Sequence, residues 1–473
     1  MSDGTSARKA GDSSVVSEVR VMHALGIDIG TTSISIVLLD EQSGRVIAHE
    51  TVDHSAFIDD GCPVGRVQDA EKVWNIVSGI CERFTKETSA ISCIGLTGQM
   101  HGMLYVDKDG RAVSPLYTWQ DGRANLDMED GISYVSYLKA KGLSAAAGYG
   151  LTTHFYLLKN GLVPVAAAKL TTISDYIAMR LCGNKEPVIG KDMAAGWGCF
   201  DPEKQVFKTE EMKQLGFDIS LLPKLVSRHE IIGYTKDNVP VVVSVGDNQA
   251  SVIGSVQDLD DTVLINIGTG SQVSVGIKKY IACEGSVELR PCTGDMNMLV
   301  GSGLCGGRAY AMLEQFYREA AGSNETRYDV MLAQAEEFLE KHGSEAAWKV
   351  RTTFFGTRNN PEEKGSVCGI GGVNFHPGAL TLGVIKGILE ELYDFYKQMC
   401  SISGKTAKNL VGSGNGLRRN RLMQRMAEEI FGMRLLIPVH QEEAAYGAAL
   451  CAMAASGRTA SLADAQAMIA YIN

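Results

Sequence analysis

Two aspartates stand where a carboxylate at the end of an apolar run can do chemistry. Asp28 lies within Leu25-Gly26-Ile27-Asp28-Ile29-Gly30-Thr31-Thr32, and Asp247 follows Val241-Val242-Val243-Ser244-Val245-Gly246. A carboxylate beside a glycine turn suits Mg2+, which takes one or two carboxylates together with phosphate oxygens and waters. The glycine lets the backbone bend sharply, and the N–H groups freed over Gly30 to Thr32 form a concavity of the kind that cradles phosphate. A carboxylate at the carboxyl end of a buried strand, facing a cleft, can take the proton from an attacking hydroxyl. Plainer readings stand beside these. Asp28 fits a turn residue and Asp247 a helix N-cap. The N-cap reading is compatible with the base, because that position is what exposes the carboxylate.

The elements that must hold these groups are strand–turn–strand units. Apolar residues precede the Gly30 turn, and Ser33-Ile34-Ser35-Ile36 after it alternates with period two. Val263 to Val275 repeats the pattern around Gly268-Thr269-Gly270, with Asn266 where Asp28 stood. The same turn in both halves of a chain points to two similar domains facing one nucleotide. That layout resembles the actin-like (ribonuclease H-like) ATPase fold, an α/β architecture with a cleft between two domains. A P-loop would need Gly-x-x-x-x-Gly-Lys-Ser/Thr before a helix, and the chain has none. Val300 to Gly306 fits Gly-x-Gly-x-x-Gly, but Glu319, near the spacing of the acid such a site needs, falls within a helical stretch, which argues against a dinucleotide site. Gly306-Gly307 and Gly412-Ser413-Gly414 each open a helix and can bring backbone close to a nucleotide.

Gly98-Gln99-Met100-His101-Gly102 follows another strand end. Gln and His offer hydrogen bonds to hydroxyls and Met an adaptable apolar wall, which suits a polyol. Trp119 and Asp121 add a stacking face and a hydroxyl acceptor. A lone histidine is more often structural, and its neighbours here shift that balance.

The chain of 473 residues is long enough for two or three domains with full cores. A net charge of −10 disfavours an electrostatic nucleic-acid binder. No uninterrupted apolar run reaches the length of a membrane span. The polar residues 1–22 read as a flexible tail rather than a targeting signal. Eleven dispersed cysteines without a C-x-x-C pair read as reduced thiols of a cytoplasmic protein. Helices are expected at 71–88, over most of 130–183, and at 306–321, 327–342, 380–402 and 442–455. A first domain is expected over 23–254 and a second over 255–473, with the division close to Asp247.

With these residues in hand, the chain resembles the FGGY family of carbohydrate kinases from about Leu25 to Ala455. Thr118 to Arg123, Ala147 to Lys159, Ala194 to Phe200 and Gly412-Ser413-Gly414 with Arg419-Asn420 are similar to segments of the branch acting on sedoheptulose. Gln99-Met100-His101 is shared with the xylulose branch. The resemblance implies ATP and Mg2+ between the domains, with a ketose held mainly by the first. It implies Asp247 as catalytic base and Asp28 as the metal-associated aspartate. It puts Gln99, Met100, His101, Asp121, Asp247 and Asn248 in the sugar pocket. Thr31, Thr32, Gly268 and Thr269 match the phosphate-facing turns, and Gly307, Gly412, Gly414 and Asn415 the adenosine-facing region. There are departures: Asn160-Gly161 follows Lys159 where the family usually has a tryptophan, and Ala379 and Lys386 stand where polar and acidic residues are usual. Sedoheptulose is the expected substrate and xylulose the alternative, since the small residues Gly148, Gly150, Ala194, Ala195 and Gly196 of the segments similar to the sedoheptulose branch are expected to leave room for the longer sugar. A non-catalytic ATP-switched module would need the two turns but no sugar pocket.

Overall fold

The two expected hairpins nucleate two sheets. The computed structural model describes residues 22–472 except 89, 228, 284, 293–295, 358, 359 and 361. Apart from Met22, the expected tail lies outside the described residues.

The first sheet uses β1 (His23–Ile29), β2 (Ser33–Asp40), β3 (Val46–Asp53), β4 (Ile91–Gly98), β5 (Ile231–Tyr234), β6 (Pro240–Val242) and β7 (Val245–Gly246), ordered β5-β6-β4-β1-β2-β3, with β7 also on β4. The second uses β8 (Thr262–Ile267), β9 (Ser271–Ile277), β10 (Val287–Pro291), β11 (Asn297–Gly303), β12 (Asn409–Ser413), β13 (Leu435–Pro438) and β14 (Tyr471–Ile472), ordered β10-β11-β9-β8-β12-β13-β14. In each, an antiparallel hairpin abuts a parallel strand, β1 on β4 and β8 on β12.

The helices used below are α1 (Ala70–Glu87), α2 (Ile173–Leu181), α3 (Lys191–Ala195), α4 (Asp247–Ser255), α5 (Gly307–Ala320), α6 (Tyr328–His342), α7 (Pro377–Ser403), α8 (Arg421–Phe431) and α9 (Glu443–Ala455). The alternation of β1 sends Leu25, Ile27 and Ile29 into one core with α1 and α2. Its other face, Ala24 and Gly26, lies on α9, and a Cβ on Gly26 would come within 1.9 Å of the Ala445 carbonyl oxygen. Gly95 meets Ala448 in the same way, at 1.9 Å. Glycine is required at both places because strand and helix backbones touch. The last long helix therefore covers the first sheet, although it belongs to the second half of the sequence. The second sheet turns Val263, Ile265 and Ile267 toward α5 to α8, while Leu264 and Val300 pack on Val252 of α4.

Helix α4 is thus wedged between the sheets, with Ala250 and Ile253 in the core shared with α9. The two helices cross at Gly254 and Gly447, where added Cβ atoms would fall 2.0 Å from the Glu443 and Ala250 carbonyl oxygens. His440 closes the joint, its Nε2 on the Gly254 carbonyl at 2.6 Å and its ring stacked 3.7 Å from Tyr446. The stretch 130–183, expected mostly helical, breaks into Tyr134–Ala140, Gly150–Lys159 and α2. Gly142, Gly148 and Gly161 adopt positive φ there and interrupt it.

A pH prediction follows from the joint. Burial holds the His440 imidazole down at about 4, and that of His154 likewise at about 4. Between there and about 6.5 the unfolded chain binds a proton that the folded one refuses. The contribution of each histidine is therefore full above pH 6.5 and is lost as pH falls toward 4, by about 2 kcal/mol at pH 5. The buried carboxylates Asp28 and Asp175, both pushed up to about 7 by burial, act in the opposite sense. The informative quantity is therefore the difference between variant and wild type. His440→Gln should gain on the wild type in denaturant melts as pH drops from 7.5 to 5. A constant difference over that range would contradict the assignment.

Candidate active site

Register places both aspartates. Asp28 of β1 and Val245 of β7 pair with the same residue of β4, Thr97, from opposite sides. Asp28 and Asp247 therefore emerge at one end of three parallel strands. They share a cavity of about 300 Å³ with Asn248 and Ser251, closed from the second half by Asn266 and Gln272.

Asp28 Oδ1 is buried and has no hydrogen-bond partner. Burial, then the charges of Asp247 and Glu442, push Asp28 up to about 7. An orphaned carboxylate oxygen amid other acids fits a cation. Among the described residues no cluster of three or more His, Cys, Asp or Glu is built to hold a metal alone. A cation here would take Asp28 together with substrate oxygens, the habit of Mg2+. Burial also raises Asp247, against which the Asn248 N–H, at 2.8 Å from Oδ1, and the Arg290 guanidinium pull it down. Asn266 is the counterpart of Asp28 in the second sheet, and its Nδ2 donates to Ser413 Oγ at 2.9 Å.

The expected nucleotide glycines gather around the second turn. The Gly307 N–H donates to the Gly268 carbonyl at 2.8 Å and that of Arg308 to the Thr269 carbonyl at 3.0 Å. A Cβ on Gly307 would lie 2.5 Å from the Gly268 oxygen, and one on Gly414, at φ 86°, 2.5 Å from the Ile267 oxygen. Asn415 follows directly as the first residue of a short helix. Gly412 makes room for Leu417 and Leu435 beneath this loop. On the first turn, Thr31 Oγ1 accepts from Trp119 Nε1 at 2.9 Å, and Thr32 is exposed. Trp119, expected as a sugar-stacking face, leans on the phosphate-facing turn.

A second cavity, of about 200 Å³, adjoins Asp247 through its helix neighbour Gln249. Met100 and His101 line it, with Tyr149, Asp192, Ala195 and Gly196. His101 stacks on Tyr149 at 4.6 Å and donates from Nδ1 to the Gly196 carbonyl at 2.6 Å. Most of its lining comes from the first half, and Glu288 to Pro291 of β10 close the far wall from the second. A larger cavity of about 830 Å³ lies along α7 and is lined by none of the expected site residues.

Three expectations need correction. Asp121 is not available to a sugar hydroxyl. It is buried, and its oxygens take Arg123 Nε at 2.6 Å, Arg123 Nη2 at 2.9 Å and the Arg66 N–H at 3.0 Å. A carboxylate beside a buried guanidinium takes the bidentate pair first. Gln99 sits behind the cavity rather than on its wall. Its Nε2 donates to Gln68 Oε1 at 3.3 Å, and Gln68 in turn holds the Thr31 carbonyl at 2.6 Å. Gly148 and Gly150 do not widen the sugar site, because added Cβ atoms there would strike the Trp119 carbonyl at 1.8 Å and the Trp197 ring at 3.0 Å. Asp192 and the Glu288–Arg290 pair were missed. Asp192 lies in a five-residue helix and the pair on a strand of the other half, so no local pattern marks them.

Comparison with known proteins agrees with this layout. Residues 23–254 match the N-terminal domain of the FGGY family of carbohydrate kinases and residues 263–456 its C-terminal domain. The chain is 29% identical to the sedoheptulokinase of Mus musculus, over 90% of this chain and 96% of that protein. It is 23% identical to the xylulose kinase of Staphylococcus xylosus, over 91% and 90%. The crystal structure of gluconate kinase from Lactobacillus acidophilus superposes with a TM-score of 0.82 at 20% identity, covering 96% of this chain and 93% of that one. The chain belongs to the FGGY family of carbohydrate kinases and is a sugar kinase with ATP as co-substrate.

Proposed function

We propose that this enzyme transfers the γ-phosphoryl group of ATP to the terminal hydroxyl of sedoheptulose, giving sedoheptulose 7-phosphate. The observation that carries this reading is the neighbouring pair of cavities, one lined by Asp28 and Asp247 and the other by Met100, His101, Ala195 and Gly196. Asp247 accepts the proton as the sugar oxygen attacks phosphorus and the bond to the departing ADP breaks. Asn248 and Ser251 line the same pocket and can orient the reacting groups. Backbone N–H groups near Thr31, Thr32, Gly268 and Thr269 face the phosphates, and Gly307, Gly414 and Asn415 shape the nucleoside end. Asp28 would hold Mg2+, which would supply charge neutralisation at the phosphoryl oxygens.

Ala195 and Gly196 are small residues on the cavity wall, which favours a chain longer than xylulose, and the identity to sedoheptulokinase, 29% over 90% of this chain, exceeds the 23% over 91% to the xylulose kinase of Staphylococcus xylosus. Xylulose is the second reading, since Met100 and His101 are common to both branches. An assay of ADP release over a panel of ketoses should give a higher kcat/KM for sedoheptulose than for xylulose. Ala195→Leu should penalise the seven-carbon sugar more than the five-carbon one. A wild type that prefers xylulose would refute the sugar assignment and leave the kinase intact.

A further inference from the structure

We propose that Arg418 is a positioning residue for phosphoryl transfer: it sets the separation between the nucleoside end of ATP and the cavity of Asp28 and Asp247. This rests on the reading that Gly414 and Asn415 face the nucleoside.

Arg418 closes the short helix Asn415–Arg418. That helix is pressed on the end of β8, where added Cβ atoms on Gly414 and Gly416 would fall 2.5 Å and 2.8 Å from the Ile267 carbonyl oxygen. With glycine at 412, 414 and 416, the loop depends on ties from outside for its place. The Arg418 guanidinium supplies them, and its hydrogen bonds all reach one other segment, the link from β13 into α9. Nη1 donates to the Pro438 carbonyl at 2.7 Å, and Nη2 donates to the His440 carbonyl. Glu443 Oε1 accepts from Nη2 at 2.7 Å and from Nε at 3.2 Å. The two charged side chains are only 10% and 11% exposed. A rigid planar fork can hold several acceptors in one geometry, which a flexible ammonium does not.

The segment that Arg418 grips meets the chemistry twice. Ala444, next to Glu443, lines the cavity of Asp28 and Asp247. His440 holds the Gly254 carbonyl near the end of α4, the helix that Asp247 begins. One guanidinium therefore joins the loop at the nucleoside end to the wall of the phosphoryl cavity and to the helix of the base. ATP gives that link a consequence. Its triphosphate has a limited span, so the γ-phosphorus meets an attacking hydroxyl at Asp247 only while loop and cavity keep their spacing. A misplacement of about 1 Å at a reacting centre costs about 10²-fold in rate.

The plainer alternative is that Arg418 staples two connections and does nothing for turnover. Arg418→Lys keeps the charge and loses the fork. Arg418→Met with Glu443→Gln removes both charges, so neither is left buried alone. The acceptor is the better of sedoheptulose and xylulose, so the outcome does not depend on which sugar is native. At temperatures where the variants are folded, both should show kcat lowered about 10- to 100-fold. The KM for ATP should rise, and the dissociation constant of the ketose in calorimetry should stay that of the wild type. A staple would lower the melting temperature and leave kcat and the KM for ATP within about twofold of wild type, which would overturn the proposal. Loss of ketose binding in the absence of ATP would overturn it too. Asn415→Ala tests the nucleoside reading by itself and should raise the KM for ATP about 10-fold. An unchanged KM there would put the nucleoside elsewhere and overturn both that reading and this one. A raised KM there, beside Arg418 variants that stay near wild type, would overturn this one alone.

Discussion

Asp247→Ala is expected to lower kcat by about 10²-fold or more, the scale of losing a positioned general base. The structure adds reasons to expect a clean loss. Asp247 is the first residue of α4, and the helix backbone needs no side chain from it, since the preceding Gly246 is the cap residue and Asp247 Oδ1 holds only the adjacent Asn248 N–H. Burial penalises its charge, so removing the carboxylate takes a cost out of the fold, and the Asn248 N–H is the hydrogen bond given up. Melting should stay close to wild type, and ATP should still bind, because the phosphate-facing turns lie on other elements. Asp247→Asn should behave alike, which separates the proton-accepting role from simple occupancy of space. A folded Asp247→Ala with near-normal turnover would remove it from the chemistry.

Asp28→Ala should cut kcat/KM for Mg·ATP by about 10²-fold or more, the scale of several kcal/mol of charge stabilisation. Sugar binding should survive, because Asp28 lines the cavity shared with Asp247 and not the one holding Met100 and His101. A second signature distinguishes this from structural damage. Asp28 is pushed up to about 7 by burial and by neighbouring acids, so its ionised form strains the ligand-free fold above that pH. Asp28→Asn should therefore melt no lower than wild type at pH 8, a trade of stability against function. Sugar binding lost in calorimetry, with Mg·ATP use unchanged, would reverse the map of the two cavities.

What the chain reveals on reading depends on how local each signal is. Both turns were legible because period-two alternation and the Gly-Thr pairs are short-range features, and β1–β2 and β8–β9 fold as the spacing predicts. Asp247 was legible because it ends a run of valines. Helices with strong amphipathic patterns fell close to expectation, as with α1, expected at 71–88 and found at Ala70–Glu87. The cavity proposed to hold the sugar was only half legible. Met100 and His101 adjoin a strand end, but Asp192 and Arg290 reach the same cavity from elements with no periodicity to mark them. Asp121 misled because a carboxylate's nearest partner, Arg123, sits two residues away and claims it. The small residues at 148 and 150 suggested space, where the fold uses them to let Trp119 and Trp197 approach.

The return of α9 bears on how the polypeptide is made. Chains emerge from the ribosome N-terminus first, and domains ordinarily fold in that order. Here the inner cover of the first sheet is Glu443–Ala455, which follows β8 to β13 of the second sheet in the chain. Until it arrives, the Gly26 and Gly95 backbones and the apolar side chains Ala24, Val37 and Leu39 have no helix against them. The first half is thus topologically early but completed late, and the nascent protein carries an open apolar face until the second sheet has been made as far as β13. The cavity shared by Asp28 and Asp247 takes Ala444 of α9 into its wall, so it too waits for that helix.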